Sequence, residues 1–340
     1  MTDDADVETE LYQQLFAAWQ KFRQGKKSTL EIDRFEYDLF ANLAELAQEI
    51  SAATPTAKPS AGRPQNNYRH GGYRRVVVQE KKRRDLAVAL VRDRVVHRLI
   101  YDKLVEIFDK TFDPDVWSCR ENKGLHKCLS RTQNLAKKYH ENFIWRLDIA
   151  KFFDHVDHDI LKACLRRHVQ DLRTLTLCDE IINSYNCLAG GGQRFRGIPI
   201  GNLTSQIFAN IYLNEFDRYV RHSLKPLAYV RYGDDAILFA RTRREAKKFR
   251  EQATNFLREE LKLTVNPKND VIFRADQPLK FLGHVITDTY IVVDRATTTS
   301  VLAKLNLRNI ASYKSLKLAK WPKRELDWLA ADQIANIIDQ

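Results

Sequence analysis

Apolar positions along the chain fall into two periodicities. Leu11, Leu15, Trp19 and Phe22 recur every three or four residues, as do Phe35, Leu39, Leu43, Leu46 and Ile50. Each set forms one face of an amphipathic helix, with the basic turn Gly25-Lys26-Lys27-Ser28 between them. Val95, Val96, Leu99, Ile100 and Leu104 predict a further helix over 92–112, with His97 read as a packing or surface residue rather than a ligand. Asp157 is placed to cap another that runs through ILKACLRRHV. Ile207, Phe208, Ile211, Tyr212, Phe216 and Val220 mark a long one, with Ser205 as a candidate cap, and TRREAKKFREQATNFLREELKL reads as a basic amphipathic helix. Shorter runs have strand character. YRRVVVQEKKRRDLAVAL from Tyr73 suggests two strands joined by Lys81-Lys82-Arg83-Arg84, FIWRLDI at 143–149 suits a buried strand, and FLGHVI at 281–286 suggests a short strand with a glycine turn. Residues 51–72, rich in Ser, Ala, Thr, Pro, Asn and Gly, read as a linker or long surface loop.

The segment YVRYGDDAILFA at 229–240 organises the rest. Gly233 and Asp234 are turn residues between two apolar or aromatic runs, which predicts a hairpin holding Asp234 and Asp235 at its tip. Adjacent carboxylates repel unless cations sit beside them, so a divalent-metal site is the first expectation; an ordinary acidic turn would look the same. Asp148, at the end of an apolar strand, is a third carboxylate that is costly without a partner. If that strand lies beside the hairpin, the three converge as in two-metal phosphoryl transfer.

Charge adds a partner class. Lys and Arg number 56 against 44 Asp and Glu, a net +12, which favours a polyanion. The hairpin lysines and arginines could cover a triphosphate, with Arg84 bidentate and Lys82 a point charge, or could form a solvated turn. WSCRENKGLHKCLSR at 117–131, with Arg120 and Lys123, suits contact with a nucleic-acid backbone or a plain polar loop. Gly201 lacks a Cβ and would let a base pair or ribose approach the main chain. The tail from Thr297 carries Lys304, Arg308, Lys314, Lys317, Lys320, Lys323 and Arg324 on expected helices, suited to gripping a duplex or simply to solubility. Five cysteines without a Cys-x-x-Cys pair predict reduced thiols. The first residues lack a basic-then-apolar leader, and no stretch is long and apolar enough for a membrane span, so the expected location is cytoplasmic, with no membrane partner.

The order of these motifs resembles the reverse transcriptases: a basic finger hairpin, an Asp-ended strand followed by Phe152 and Phe153, the Gly-x-Pro-x-Gly loop at 197–201, the Tyr-x-Asp-Asp hairpin and Phe281-Leu282-Gly283. The resemblance spans about residues 73–286. It implies an α+β right-hand polymerase, with fingers, a palm whose antiparallel sheet is flanked by helices, and a helical thumb. The implied division is a helical extension over 1–50, a linker over 51–72, fingers and palm over 73–286 and a short basic thumb over 287–340.

By the same resemblance, Asp148, Asp234 and Asp235 are the catalytic carboxylates and, with Ile149, hold two Mg²⁺ ions, Mn²⁺ being the alternative. Lys82, Arg84, Phe152, Phe153, Ile200, Gly201 and Gln206 belong to the dNTP site; Arg120, Lys123, Tyr232 and Gly283 contact primer and template. Phe153, five residues after Asp148, stands where reverse transcriptases place a ring against a ribose 2′-hydroxyl, so dNTP is the expected substrate. The partners implied are an RNA template and a DNA or RNA primer.

Within the family the loop Ile200-Gly201-Asn202-Leu203-Thr204-Ser205-Gln206 resembles the lineage of bacterial diversity-generating retroelements, whose enzymes copy RNA with errors at adenines beside a small basic accessory protein. Intron-lineage and phage-defence reverse transcriptases, or an inactive nucleic-acid-binding derivative, are the alternatives. Asn266-Pro267-Lys268-Asn269 departs from the family's Lys-Thr pattern, with Lys268 displaced by one from the place of a proton donor to pyrophosphate.

Overall fold

A computed structural model describes residues 3–51, 67–79, 83–186 and 195–302. Lys82, Cys187, the linker over 52–66 and the basic tail over 303–340 lie outside the described residues. The N-terminal region forms α1 (Asp3–Arg23), α2 (Leu30–Tyr37) and α3 (Leu39–Ser51). The single helix expected through Phe35 and Ile50 is two helices. Asp38 leaves helical geometry at φ −110° and ψ 37°, and the Asn42 amide donates to the Phe35 carbonyl at 2.9 Å beside that break.

Then follow β1 (Tyr73–Gln79), β2 (Arg83–Ala89) and α4 (Val91–Phe108). The two strands pair antiparallel with Val78 opposite Arg84, so Arg83 and Arg84 belong to the strand rather than to the turn. Next come α5 (Leu125–Lys138), β3 (Phe143–Asp148), α6 (Phe152–His155), α7 (His158–Arg166), α8 (Leu172–Asn183) and α9 (Leu203–Tyr219). Asp157 caps α7 as its sequence predicts, accepting from the Asp159 and Ile160 N–H groups. The rest is β4 (Ala228–Tyr232), β5 (Asp235–Ala240), α10 (Arg243–Glu259), β6 (Val271–Arg274), β7 (Leu279–Phe281), β8 (His284–Ile286), β9 (Ile291–Val293) and α11 (Arg295–Leu302). FLGHVI is a hairpin, with Leu282 and Gly283 both at positive φ in its two-residue turn. No helix among the described residues is long and apolar enough to cross a membrane.

The chain divides into two compact units. One comprises Met1–Asp113, Ala150–Tyr219 and Asn255–Thr264; the other comprises Pro114–Ile149, Val220–Thr254 and Val265–Gln340. The second unit holds a four-stranded antiparallel sheet in the order β4-β5-β3-β6 and a three-stranded sheet β7-β8-β9. One face of the larger sheet presents Ile144, Ile237 and Phe239 to Leu129 and Leu135 of α5 and to Phe281 and Ile286 of the smaller sheet. On the opposite face Trp145, Leu147 and Leu238 are also buried, which explains why the strand reads as a continuous apolar run.

The first unit is mainly helical and carries the β1–β2 hairpin. At its centre lies a buried polar network. Asp93 accepts from the Tyr68 hydroxyl at 2.8 Å and the Gly71 N–H at 3.0 Å. His70 and His97 meet through their Nε2 atoms at 3.2 Å, and His97 Nδ1 reaches the Thr204 hydroxyl at 3.3 Å. Burial, and secondarily His70 and Arg94, pushes His97 down to about 3, while burial also lowers His70 despite Asp93 and Glu180.

His97 is therefore neutral in the folded chain, whereas the unfolded chain takes up its proton near 6.5. Acid protonates the unfolded state first, so stability falls as pH drops below 6.5 and goes on falling until the folded His97 titrates near 3. This group alone contributes a loss of about 2 kcal/mol between pH 7 and pH 5. Urea unfolding at the two pH values should show that loss, and His97→Gln should remove most of it; an equal pH dependence in the variant would rule out His97 as its source.

Candidate active site

In the second unit, β3 and β5 pair so that Asp148 lies directly opposite Asp235, with Arg146 opposite Ile237 on the same face. The tip of the neighbouring hairpin is the two residues Gly233 and Asp234, closed by the Tyr232–Asp235 pair. Gly233 takes φ +63°, in the left-handed region where an L side chain is strained. Asp234 is thus the tip carboxylate, while Asp235 is already in the strand. The Asp234 carbonyl accepts the Ile149 N–H at 3.2 Å, fixing the end of β3 to the turn. A second brace comes from residues 115–118: the Ser118 hydroxyl accepts the Gly233 N–H at 2.9 Å, and Val116 bridges in parallel to Arg231. Arg231, almost fully buried, donates to the Gly233 carbonyl at 3.0 Å.

The two facing carboxylates have different partners. Asp235 accepts from Arg146 on both oxygens, Nε at 3.1 Å and Nη2 at 2.8 Å. The Arg146 Nη1 donates to the Lys280 carbonyl, and the guanidinium lies 5.9 Å from the Phe281 ring centroid. Burial nevertheless pushes the Asp235 carboxyl up to about 6; Arg146 opposes that shift and the charge of Asp148 adds to it. Asp148 instead accepts from two amides on Oδ2, Asn266 Nδ2 at 2.8 Å and Asn269 Nδ2 at 3.0 Å. Its Oδ1 takes no hydrogen bond among the described residues. Oxygen donors of this kind suit a hard divalent ion, and Asp148 Oδ1 is open to one. No three His, Cys, Asp or Glu side chains among the described residues stand in position to hold a metal ion.

Other candidates in this unit have local duties. Arg120 donates to the Val116 carbonyl at 3.3 Å; Lys123 donates to the Pro114 carbonyl at 2.6 Å and sits 4.2 Å from the Trp117 ring centroid. Both close the 114–124 loop. Tyr232 is half-buried beside the core of the sheet, and Gly283, at φ +76°, lies where an added Cβ would come 3.3 Å from the Thr297 hydroxyl. Lys268 is exposed, and its backbone N–H bonds Asn266 Oδ1.

In the first unit the other candidate residues gather around β2. The Ile200 carbonyl accepts the Ala87 N–H at 3.1 Å. Asn202 completes the zipper: Oδ1 accepts the Ala89 N–H at 3.1 Å, and Nδ2 donates to the Ala87 carbonyl at 2.5 Å. Residues 200–202 thus close the edge of a two-stranded sheet that would otherwise leave main-chain groups unpaired. Gly201 sits between them at φ +107°, with the direction of a Cβ facing Leu86 at 3.6 Å. Its glycine answers first to backbone conformation and to β2. Ser205 is not a cap: α9 begins at Leu203, and the Ser205 hydroxyl is buried without a hydrogen-bond partner among the described residues. Gln206 is exposed on the first turn.

Phe152 is buried against Tyr212 with ring centroids 6.3 Å apart, and Phe153, half-buried, meets Phe152 edge to face. The Phe153 carbonyl accepts the Ile198 N–H at 2.8 Å, joining the double-Phe segment to the glycine loop. Arg84 contributes a β2 backbone position, and Lys82 lies outside the described residues. Sequence reading missed Arg146, Ser118, Asn202, Asn266 and Asn269. Arg146 had a signal, because residues two apart in a strand share a face; the three asparagines offered only turn chemistry.

The carboxylate-bearing antiparallel sheet and the hairpin-and-helix unit define an α+β nucleotidyl-transferring polymerase of the right-hand class. The model of the family "Reverse transcriptase (RNA-dependent DNA polymerase)" matches residues 71–286, and the chain belongs to that family; its enzyme class is RNA-directed DNA polymerase. It is 26% identical over 293 residues to protein YkfC of Escherichia coli (strain K12), covering 74% of this chain and 75% of that one. It is 22% identical over 278 residues to the group II intron-encoded protein LtrA of Lactococcus lactis subsp. cremoris, covering 61% of this chain and 45% of LtrA. Among solved structures, apo telomerase from Candida tropicalis superposes with a TM-score of 0.50 at 11% identity, over 77% of this chain and 53% of that one, which shows the fold. The chain thus spans about half the length of LtrA and of that telomerase.

Replacing Asn202 by Ala would leave the Ala89 N–H without its acceptor and the Ala87 carbonyl without a donor, at a cost of about 1–3 kcal/mol. The expected result is a lower unfolding midpoint together with a raised KM for dNTP and a smaller change in kcat. An unchanged KM would show that the zipper supports the fold alone.

Proposed function

We propose that the chain is the error-prone RNA-directed DNA polymerase of a diversity-generating retroelement, extending a DNA or RNA primer on an RNA template with dNTPs. The observation that carries the lineage is the loop Ile200-Gly201-Asn202-Leu203-Thr204-Ser205-Gln206 in a chain of this family. Ile200 offers an incoming nucleotide no side-chain hydrogen bond, and its carbonyl is committed to Ala87, so geometric checking of the base is weak there.

In the reaction the primer 3′-oxygen attacks the α-phosphorus, the bond to the bridging oxygen of pyrophosphate breaks, and the hydroxyl proton is released. Asp148, Asp234 and Asp235, with Ile149, are the residues proposed to hold two Mg²⁺ ions, and Mn²⁺ is the alternative. The family generally uses divalent ions, which when bound supply positive charge at the attacking and leaving oxygens. Lys82 and Arg84 take the triphosphate, Phe152 and Phe153 wall the sugar, Ile200, Gly201 and Gln206 face the nucleotide, and Arg120, Lys123, Tyr232 and Gly283 serve primer and template. A small basic accessory protein is the proposed partner, and the cytoplasm the proposed compartment. A second reading, an intron-lineage enzyme, is favoured by the likeness to LtrA.

Purified protein given Mg²⁺, dNTPs and a primed RNA should make RNA-dependent DNA with errors clustered opposite template adenines; accurate copying would move the chain to the intron lineage. Asp148→Asn or Asp234→Asn should lower incorporation about a thousandfold or more, the several kcal/mol that metal-assisted charge stabilisation supplies. RNA binding by gel shift should be retained, and wild-type incorporation in these variants would overturn the site. Phe153→Ala should admit ribonucleotides, which competition between dNTP and rNTP measures; undiminished dNTP preference would remove Phe153 as the sugar gate.

A further inference from the structure

Two features of residues 266–269 bear on Asp148. The segment is a single 3₁₀ turn, Pro267–Asn269, entered from Asn266. Asn266 is the extended residue that caps this turn, and Asn269 is its last residue. Both amides reach the same atom, Asp148 Oδ2, at 2.8 and 3.0 Å. Asn266 is oriented by its own turn: Oδ1 accepts the Lys268 N–H at 3.2 Å, which leaves Nδ2 for Asp148. Backbone bonds fix the platform, with the Asn266 N–H on the Asp148 carbonyl at 2.7 Å, the Asn269 N–H on the Asn266 carbonyl at 3.0 Å, and Ile149 bridged to Val265. Pro267 restricts the turn further by fixing its own φ.

We infer that Asn266 and Asn269 are positioning residues for the polymerase reaction, an amide pair that holds the Asp148 carboxylate by Oδ2 and turns Oδ1 toward a divalent ion. The inference rests on the reading of Asp148 as a metal-binding carboxylate. Neutral donors are what this role requires. A guanidinium or ammonium on Asp148 would compete with a metal for its charge, as Arg146 does at Asp235, whereas an amide fixes the rotamer and leaves the negative charge in place. Lys268, the cation of this turn, contributes only its backbone to the arrangement.

Asn269→Ala is the cleaner variant, since Asn266 also supports the turn. Terbium(III), a hard oxygen-seeking ion with a luminescent readout, can be titrated into nucleotide-free wild-type protein, Asn269→Ala and Asp148→Asn. The Asp148-dependent binding should weaken by roughly 10- to 100-fold in Asn269→Ala, the range for loss of a group that orients a metal ligand. The Mg²⁺ concentration for half-maximal primer extension should rise in step, with RNA affinity unchanged. Wild-type terbium affinity and Mg²⁺ requirement in Asn269→Ala would overturn the inference, as would a parallel loss of RNA binding, which would make the turn structural only. If Asp148→Asn itself binds terbium normally and extends primers, the reading of Asp148 fails instead. Should Asn269→Ala not fold, Asn269→Leu, of similar size and without donors, is read in the same titration with the same criteria.

Discussion

Two aspartates facing each other across a buried pair of strands set the terms for the second unit. Like charges directly opposite in an antiparallel ladder are destabilising, and burial raises the cost of each. Asp148 and Asp235 stand in that relation, and the Asp235 carboxyl is pushed up to about 6 chiefly by burial, with the charge of Asp148 adding to the rise against Arg146. The structure removes the strain unequally. Asp235 receives a bidentate guanidinium, which cancels its charge locally and ties β5 through Arg146 to the Lys280 carbonyl of the smaller sheet. Asp148 receives two neutral amide donors on one oxygen. The two facing carboxylates thus differ in partner: Asp235 is bound by a guanidinium tied to the smaller sheet, and Asp148 is held by neutral amides.

The same unequal treatment explains the bracing of the hairpin tip. Asp234 sits in a two-residue turn, a position that would normally fray, yet its neighbours are held from three directions: Ser118 on the Gly233 N–H, Arg231 on the Gly233 carbonyl, and Ile149 on the Asp234 carbonyl. Arg231 is buried near the end of a strand whose other residues are apolar or aromatic, and it donates to the Gly233 carbonyl of the turn. The 114–124 loop that supplies Ser118 is itself closed by Arg120 and Lys123 and anchored through Asp115, which accepts both Arg131 donors at 2.9 and 3.0 Å. Cations that sequence reading assigns to nucleic acid thus also have an internal task.

How much of this was legible in the sequence depends on the range of the interaction. Elements set by local periodicity emerge from the sequence: the strand ending at Asp148, the hairpin around Gly233, the Asp157 cap and the amphipathic helices. Local reasoning also placed the family, because motif order is a one-dimensional property. It failed where a residue's partner is far along the chain. Asn202 reads as an unremarked loop residue until β2, more than a hundred positions earlier, supplies an unpaired edge. Ser205 has the chemistry of a cap but lies inside the helix, since α9 begins two residues before it. Asp38 divides a helix whose apolar spacing continues without a break, because apolar spacing reports a face and not the backbone that carries it.

Gly201 illustrates the same limit from the functional side. Taken alone, a glycine in a substrate-facing loop implies space for a ligand. Its φ of +107° would strain any L side chain there, and a Cβ would point to Leu86 at ordinary contact distance, so conformation and strand packing already require glycine before any ligand is considered. The two demands are compatible, because a loop whose carbonyl at 200 and side chain at 202 are both bonded to β2 cannot adjust to what it meets. Rigidity of that kind is set by the bonds to β2, and it holds the Ile200 backbone and the Asn202 side chain in one arrangement.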